Sequence, residues 1–204
     1  MRENPVKLSV LIFIDSKNLI NRDNPQETKS LITYPLYRVM NKDQFIHYLL
    51  GLVDGEGCFC IAIKKQKSAF VRWVLDPIFH VTQHRNKKEI LYNLQRVLGC
   101  GTVITKYGQL STMQFVVQSR KELIDKVIPF FRKNKLLIKR KEFEIFAEVV
   151  ELLEDHAHKD IKNFRKLLKK VYKMNGEGKY RKHKLEDILN DLGSSETIRQ
   201  TAIK

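Results

Sequence analysis

Leu49-Leu50-Gly51-Leu52-Val53-Asp54-Gly55-Glu56-Gly57 is the stretch on which the reading of this 204-residue chain turns. Upstream of it, Asn41 can cap a helix and Gln44 can reach back to Asn41. Phe45, Tyr48, Leu49 and Leu52 then recur at helical spacing, which predicts a helix of about 12 residues running to Asp54. The glycines of Asp54-Gly55-Glu56-Gly57 stop it. Gly51 and Gly55 are four apart, so one face of that helix carries no side chain at either position.

Downstream the period changes from helix to strand. Phe59, Ile61 and Ile63 alternate with Cys60, Ala62, Lys64 and Gln66 over residues 58–67. Trp73, Leu75, Phe79 and Val81 alternate with Arg72, Val74, Asp76, His80 and Thr82 over 71–83. Both patterns predict one buried and one wet sheet face. An amphipathic helix follows from Asn86, with Glu89 three residues later as its capping partner, and closes at Gly99. Strands over Thr102–Lys106 and Thr112–Gln118 flank a turn at Gly108. Ser119-Arg120-Lys121-Glu122 is a second capping box and opens a helix through Phe131. Lys139 to Asp155, Asp160 to Asn175 and Lys184 to Leu192 read as further helices. The order is that of an α+β fold with an antiparallel sheet. The domain is expected over 41–193, between an N-terminal extension at 1–40 of unknown role and a tail at 194–204.

The charge balance points to the partner. Lys and Arg number 38 against 23 Asp and Glu, a net charge of +15. Such an excess favours polyanions, because cations that neutralise phosphates release condensed counterions. The wet sheet faces carry Lys64, Gln66, Arg72, Asp76, His80, Gln83, Lys106, Gln114 and Gln118, read as lying on or beside one face. Arg, Lys and Gln pair with base edges in a major groove that admits a β-ribbon. The three cysteines, Cys58, Cys60 and Cys100, form no disulfide framework and read as small buried thiols. Cys58 and Cys60 share one strand face, but a C-x-C without a further Cys or His cluster is weak as a zinc site. No apolar run approaches a transmembrane helix, so an intracellular chain with no membrane partner is expected.

The stretch at 49–57 resembles the defining motif of the LAGLIDADG homing endonucleases. Leu49, Gly51, Leu52, Asp54 and Gly57 match it, Val53 is a conservative change, and Glu56 replaces one carboxylate with another. The resemblance extends over roughly 41 to 185, through Phe79-His80-Val81-Thr82-Gln83 and Leu136-Leu137-Ile138-Lys139-Arg140-Lys141-Glu142. It implies the αββαββα fold of that family and a metal-dependent DNA endonuclease.

By that resemblance Glu56 is the metal-binding catalytic acid, joined by the Gly55 carbonyl, while Asp54 caps or buttresses the motif helix. Gln83 matches a residue that positions water or metal, Lys139 a cation near the scissile phosphate, and Lys87 a looser basic position. Lys179, Arg181 and Lys182 resemble the family's basic C-terminal loop that holds the DNA backbone. Two copies of the motif helix would bring two carboxylates together, whose repulsion calls for a cation, and Mg²⁺ suits an all-oxygen site. No second copy is found, since Leu189-Asn190-Asp191-Leu192-Gly193 lacks the acid–Gly ending. A homodimer is therefore expected, with Leu50, Gly51, Asp54 and Gly55 at its interface. The family habit adds a long pseudo-palindromic site, a cut across the minor groove and short 3′ overhangs. The competing expectations are a maturase that binds its host intron RNA, a non-cleaving DNA-binding protein of the same fold, and a basic ribosome-associated protein. Frequent Lys, Ile and Asn suit an A/T-rich chloroplast or mitochondrial genome, with a bacterial host as the other setting.

Overall fold

The computed structural model describes residues 40–66, 68–69, 71–174, 176 and 181–192. The expectations for residues 1–39, for Lys179 and for the tail at 194–204 lie outside the described residues. Two compact units divide the chain at Met1–Tyr48 and Leu49–Lys204, so the division falls inside the motif helix.

That helix, α1, runs over Lys42–Glu56. Its capping box is formed: Gln44 N–H donates to Asn41 Oδ1 and Asn41 N–H to Gln44 Oε1, each at 2.9 Å. α1 passes through Gly55 and Glu56 rather than ending at Asp54, and β1 (Gly57–Lys65) begins at once. Gly57 is what the reversal requires. A Cβ there would stand 2.6 Å from the Val53 carbonyl oxygen and 2.8 Å from a Val53 methyl, so only glycine fits between helix end and strand.

β2 (Trp73–His84) returns antiparallel to β1, with Phe59 opposite Phe79 and Cys58 opposite His80. After a 3₁₀ turn at Arg85–Lys87 comes α2 (Glu89–Leu98), closed by Gly99 at φ 66°. The expected Asn86 cap is not made. His84 Nδ1 accepts from Asn86 N–H instead, and the turn displaces the start of α2 to Glu89. β3 (Thr102–Thr105) and β4 (Thr112–Val117) complete a sheet of order β1-β2-β4-β3, antiparallel at every pairing.

The remaining helices cover one face of that sheet. α3 occupies 120–133, opens on Ser119 Oγ accepting from Glu122 N–H at 3.3 Å, and contains a π turn at Leu123–Val127. α4 (Arg140–Glu154), α5 (Ile161–Tyr172) and a last helix α6 over 185–192 follow. Burial alternates along β1 and β2 as the sequence pattern requires, with Phe59, Ile61, Leu75, Phe79 and Val81 inside. Phe59 is the centre of the aromatic core. It stacks on Phe79 at 4.8 Å between centroids and meets Phe131, Phe143 and Phe146 at 5.3–5.4 Å. Each such pair contributes about 0.5–1.5 kcal/mol beyond burial itself. The core thereby fixes α3 and α4 against β1, the strand that follows the motif helix. Among the described residues no helix is long and apolar enough to cross a membrane.

Candidate active site and nucleic-acid face

Asp54 and Glu56 are two residues apart at the end of α1, yet their environments are opposite. Asp54 is buried, and its carboxylate accepts three consecutive backbone N–H groups: Leu137 at 2.9 Å, Ile138 at 3.2 Å and Lys139 at 3.0 Å. These groups precede the first turn of α4, where no backbone acceptor exists and a negative charge is favoured by the helix dipole. Asp54 therefore anchors α4, 83–85 residues away, and does not cap its own helix. Glu56 is exposed, its carboxylate standing at the helix end that Asp54 immobilises.

Lys139 closes this arrangement. Its Nζ donates to the carbonyl oxygens of Asp54 at 2.5 Å and Gly55 at 3.3 Å. An ammonium group thus lies against the last turn of α1, where unpaired carbonyls concentrate partial negative charge. Gly57, Cys58, Phe59, Ile138, Lys139 and Glu142 line an adjoining cleft of about 230 Å³. Glu142 was not singled out from the sequence as a site residue; its position one helical turn after Lys139 is the signal that could have found it. The Cys60 hydrogen bond draws the Cys58 thiol down to about 7 against the opposing effect of burial, and the Lys139 charge adds to it.

Gln83 departs from its expected face. The β2–β4 register sets it opposite Met113, with the core-side parity of Phe79 and Val81, whereas His80 and Thr82 have the opposite parity. It lies two residues beyond Val81, the partner of Gly57, and so past the start of β1 on the side where α1 ends. Its own Oε1 accepts from His84 N–H at 3.1 Å. Lys87 is exposed on the 3₁₀ turn that follows β2.

The outer face of the sheet carries Lys64, Asp76, His80 and Gln114, with Gln118 and Lys106 at strand ends. Lys64 pairs with Asp76 across the strands. Burial, and then the Lys106 charge, lower the His80 pKa, which favours its neutral ring. Gln66 and Arg72 are exposed in the β1–β2 connection, where Gln66 N–H donates to the Arg72 carbonyl at 2.8 Å. Of the expected basic clamp, Lys182 is exposed, whereas Arg181 is turned into the protein. The Arg181 guanidinium donates to the carbonyls of Ile61 at 2.8 Å and Val171 at 2.9 Å and lies over the Tyr172 ring. It ties β1 to α5, which corrects its assignment as a DNA-backbone contact.

The expected interface positions also divide. Gly51 and Gly55 are exposed, and a Cβ built on either meets nothing within 4 Å. Leu50 and Asp54, by contrast, are buried within the chain. The thiols differ from expectation too: Cys100 is buried, but Cys58 and Cys60 are only half-buried and lie on the outer face of the sheet.

The LAGLIDADG endonuclease family model matches residues 49–150, which include the motif, Gln83 and Lys139. Homing endonuclease I-ApeII of Aeropyrum pernix is 32% identical over 155 residues, covering 74% of this chain and 92% of that protein. DNA endonuclease I-CeuI of Chlamydomonas moewusii is 32% identical over 118 residues, and there the chain spans only 54% of the relative's length. Among solved structures, the archaeal intron-encoded homing endonuclease I-Vdi141I complexed with DNA superposes with a TM-score of 0.72 at 31% identity. That match covers 77% of this chain and 99% of the other. With the family model matched over half of the chain and a relative 32% identical over 155 residues, the chain belongs to the LAGLIDADG endonuclease family.

Proposed function

We propose that this protein is an intron-encoded homing endonuclease that makes a metal-dependent double-strand break in a long pseudo-palindromic DNA site as a homodimer. The observation that carries this reading is the exposed Glu56 carboxylate at an anchored helix end, beside the Lys139 ammonium bound to the two preceding carbonyls. Residues 41–193 form the endonuclease domain on this reading, and the frequent Lys, Ile and Asn support a host organelle with an A/T-rich genome.

The donors suit a hard divalent cation. Glu56 offers a carboxylate and Gly55 a carbonyl from the last helical turn, while Asp54 is committed to three N–H groups and stays outside the ligand set. When bound, Mg²⁺ would polarise the phosphate and lower the pKa of an attacking water. Lys139 places a fixed positive charge where charge builds up on the phosphate in the transition state. Gln83 provides a neutral amide at the same end of the sheet, able to orient water by donating or accepting. The outer sheet face, with His80, Gln114 and Lys106, would lie along the major groove. The cut would then fall across the adjacent minor groove and leave short 3′ overhangs.

The test is incubation of the full chain with Mg²⁺ and a duplex spanning the joined exons of its host intron. Cleavage at one position on each strand, abolished by chelator, is expected. Binding without a cut would make the protein a non-cleaving member of the fold, and binding of the intron RNA alone would make it a maturase.

One carboxylate per chain leaves one strand uncut unless a second copy supplies another. Gly51 and Gly55 offer a side-chain-free stripe on which two α1 helices could approach backbone to backbone. Gly51→Ala separates the possibilities. In an isolated chain, alanine at this open helical position should add about 1 kcal/mol of stability. In a backbone-contact dimer it should shift sedimentation toward monomer. A variant that stays dimeric and melts higher would remove this face from the interface.

A further inference from the structure

The outer face of the β1–β2 pair holds three soft ligands that the oxygen site at Glu56 does not use. Cys58 and Cys60 lie two apart on one face of β1, and the strand register sets His80 directly opposite Cys58. The two sulfurs and a ring nitrogen of His80 all lie within 4.8 Å of one another. Cys60 Sγ is 3.9 Å from His80 Nδ1 and 3.5 Å from the Ile78 carbonyl. In a tetrahedral zinc site, bonds of about 2.3 Å to sulfur and about 2.0 Å to nitrogen put neighbouring ligand atoms about 3.5–3.8 Å apart. The Cys60–His80 separation is close to that already, and the other pairs lie within 4.8 Å.

We propose that Cys58, Cys60 and His80 form a binding site for a thiophilic divalent cation, zinc above all, with a fourth position open to water. Two thiolates and an imidazole are borderline-to-soft donors that favour zinc over magnesium, while the carboxylate and carbonyl at Glu56 and Gly55 have the reverse preference. The ion would join β1 to β2 immediately after the motif helix, and the half-buried setting of all three ligands leaves room for an entering ion. Binding releases the thiol protons and stabilises the folded chain in proportion to free metal.

Cobalt titration of the reduced full-length protein tests this. One equivalent of Co²⁺ per chain should produce a thiolate-to-cobalt charge-transfer band in the near ultraviolet, displaced by Zn²⁺ and unaffected by excess Mg²⁺. Cys60→Ser and His80→Gln, each checked for wild-type circular dichroism without metal, should raise the cobalt Kd by at least about a hundredfold. Zn²⁺ should raise the melting temperature of the wild type and of neither variant. Glu56→Gln should bind cobalt like the wild type, which separates this site from the proposed catalytic one. Absence of the band in the wild type, or an unchanged band in both Cys60→Ser and His80→Gln, would overturn the assignment.

Discussion

Glu56→Gln is expected to slow single-turnover cleavage of the target duplex by about a thousandfold or more while leaving DNA affinity within a few-fold of wild type. The substitution keeps the size of the side chain and removes only its charge, at an exposed position where folding stability should change by no more than about 0.5 kcal/mol. What is lost is the anionic ligand. A metal's contribution to transition-state charge stabilisation amounts to several kcal/mol, and each 1.4 kcal/mol is about tenfold in rate. Phosphate contacts, which dominate affinity, would come from the 38 Lys and Arg of the chain, which this substitution leaves in place. Rates measured with saturating enzyme, and binding measured in chelator, separate the two effects. Cleavage by the variant at the wild-type rate would transfer the catalytic role to another residue.

Asp54→Ala should act on stability first. The residue is 8% exposed, and its carboxylate satisfies three backbone N–H groups that have no helical acceptor. Charge-assisted hydrogen bonds of this kind are each worth about 1.5–3 kcal/mol, and water recovers part of that when the acceptor is removed. A net loss of about 3 kcal/mol is expected, which for a chain of this size lowers the melting temperature by about 6–12 °C. Asp54→Asn retains one acceptor oxygen and should fall between Ala and wild type. Cleavage by Asp54→Ala should drop as well, because Lys139 loses the contact that fixes its backbone. A decrease of less than about 1 kcal/mol in urea melts would show that the three hydrogen bonds are replaced by solvent at little cost.

The contrast between these two acids illustrates how far the sequence could be followed. Period and capping chemistry placed α1, the strand alternation and the closure of α2 at Gly99, because those signals lie within a few residues of each other. The resemblance to a known motif distinguished Glu56 from Asp54, which composition alone does not do. It did not reveal that Asp54 anchors α4, since the three N–H groups it satisfies are 83–85 residues away. Cross-strand register was equally hidden. His80 joins Cys58 and Cys60 only through β1–β2 pairing, so from the sequence the cysteines read as small buried thiols. Gln83 went to the wrong face because it has the parity of Val81 at a strand end where burial no longer reveals it. Arg181 reads from the sequence as part of a loop that holds the DNA backbone, yet its guanidinium donates to carbonyls of β1 and α5.

The span bridged by Asp54 has a consequence for how the protein is made. The ribosome releases the motif helix first, and Leu137, Ile138 and Lys139 only later. At about 5–20 residues per second, those 83 residues separate the two events by roughly 4–17 s. During that interval the nascent chain exposes Glu56 with neither its anchor nor the Lys139 ammonium in place. On the proposed reading, cutting ability would arrive as a late step of synthesis, and a product terminated before Leu137 would carry the motif without its anchor.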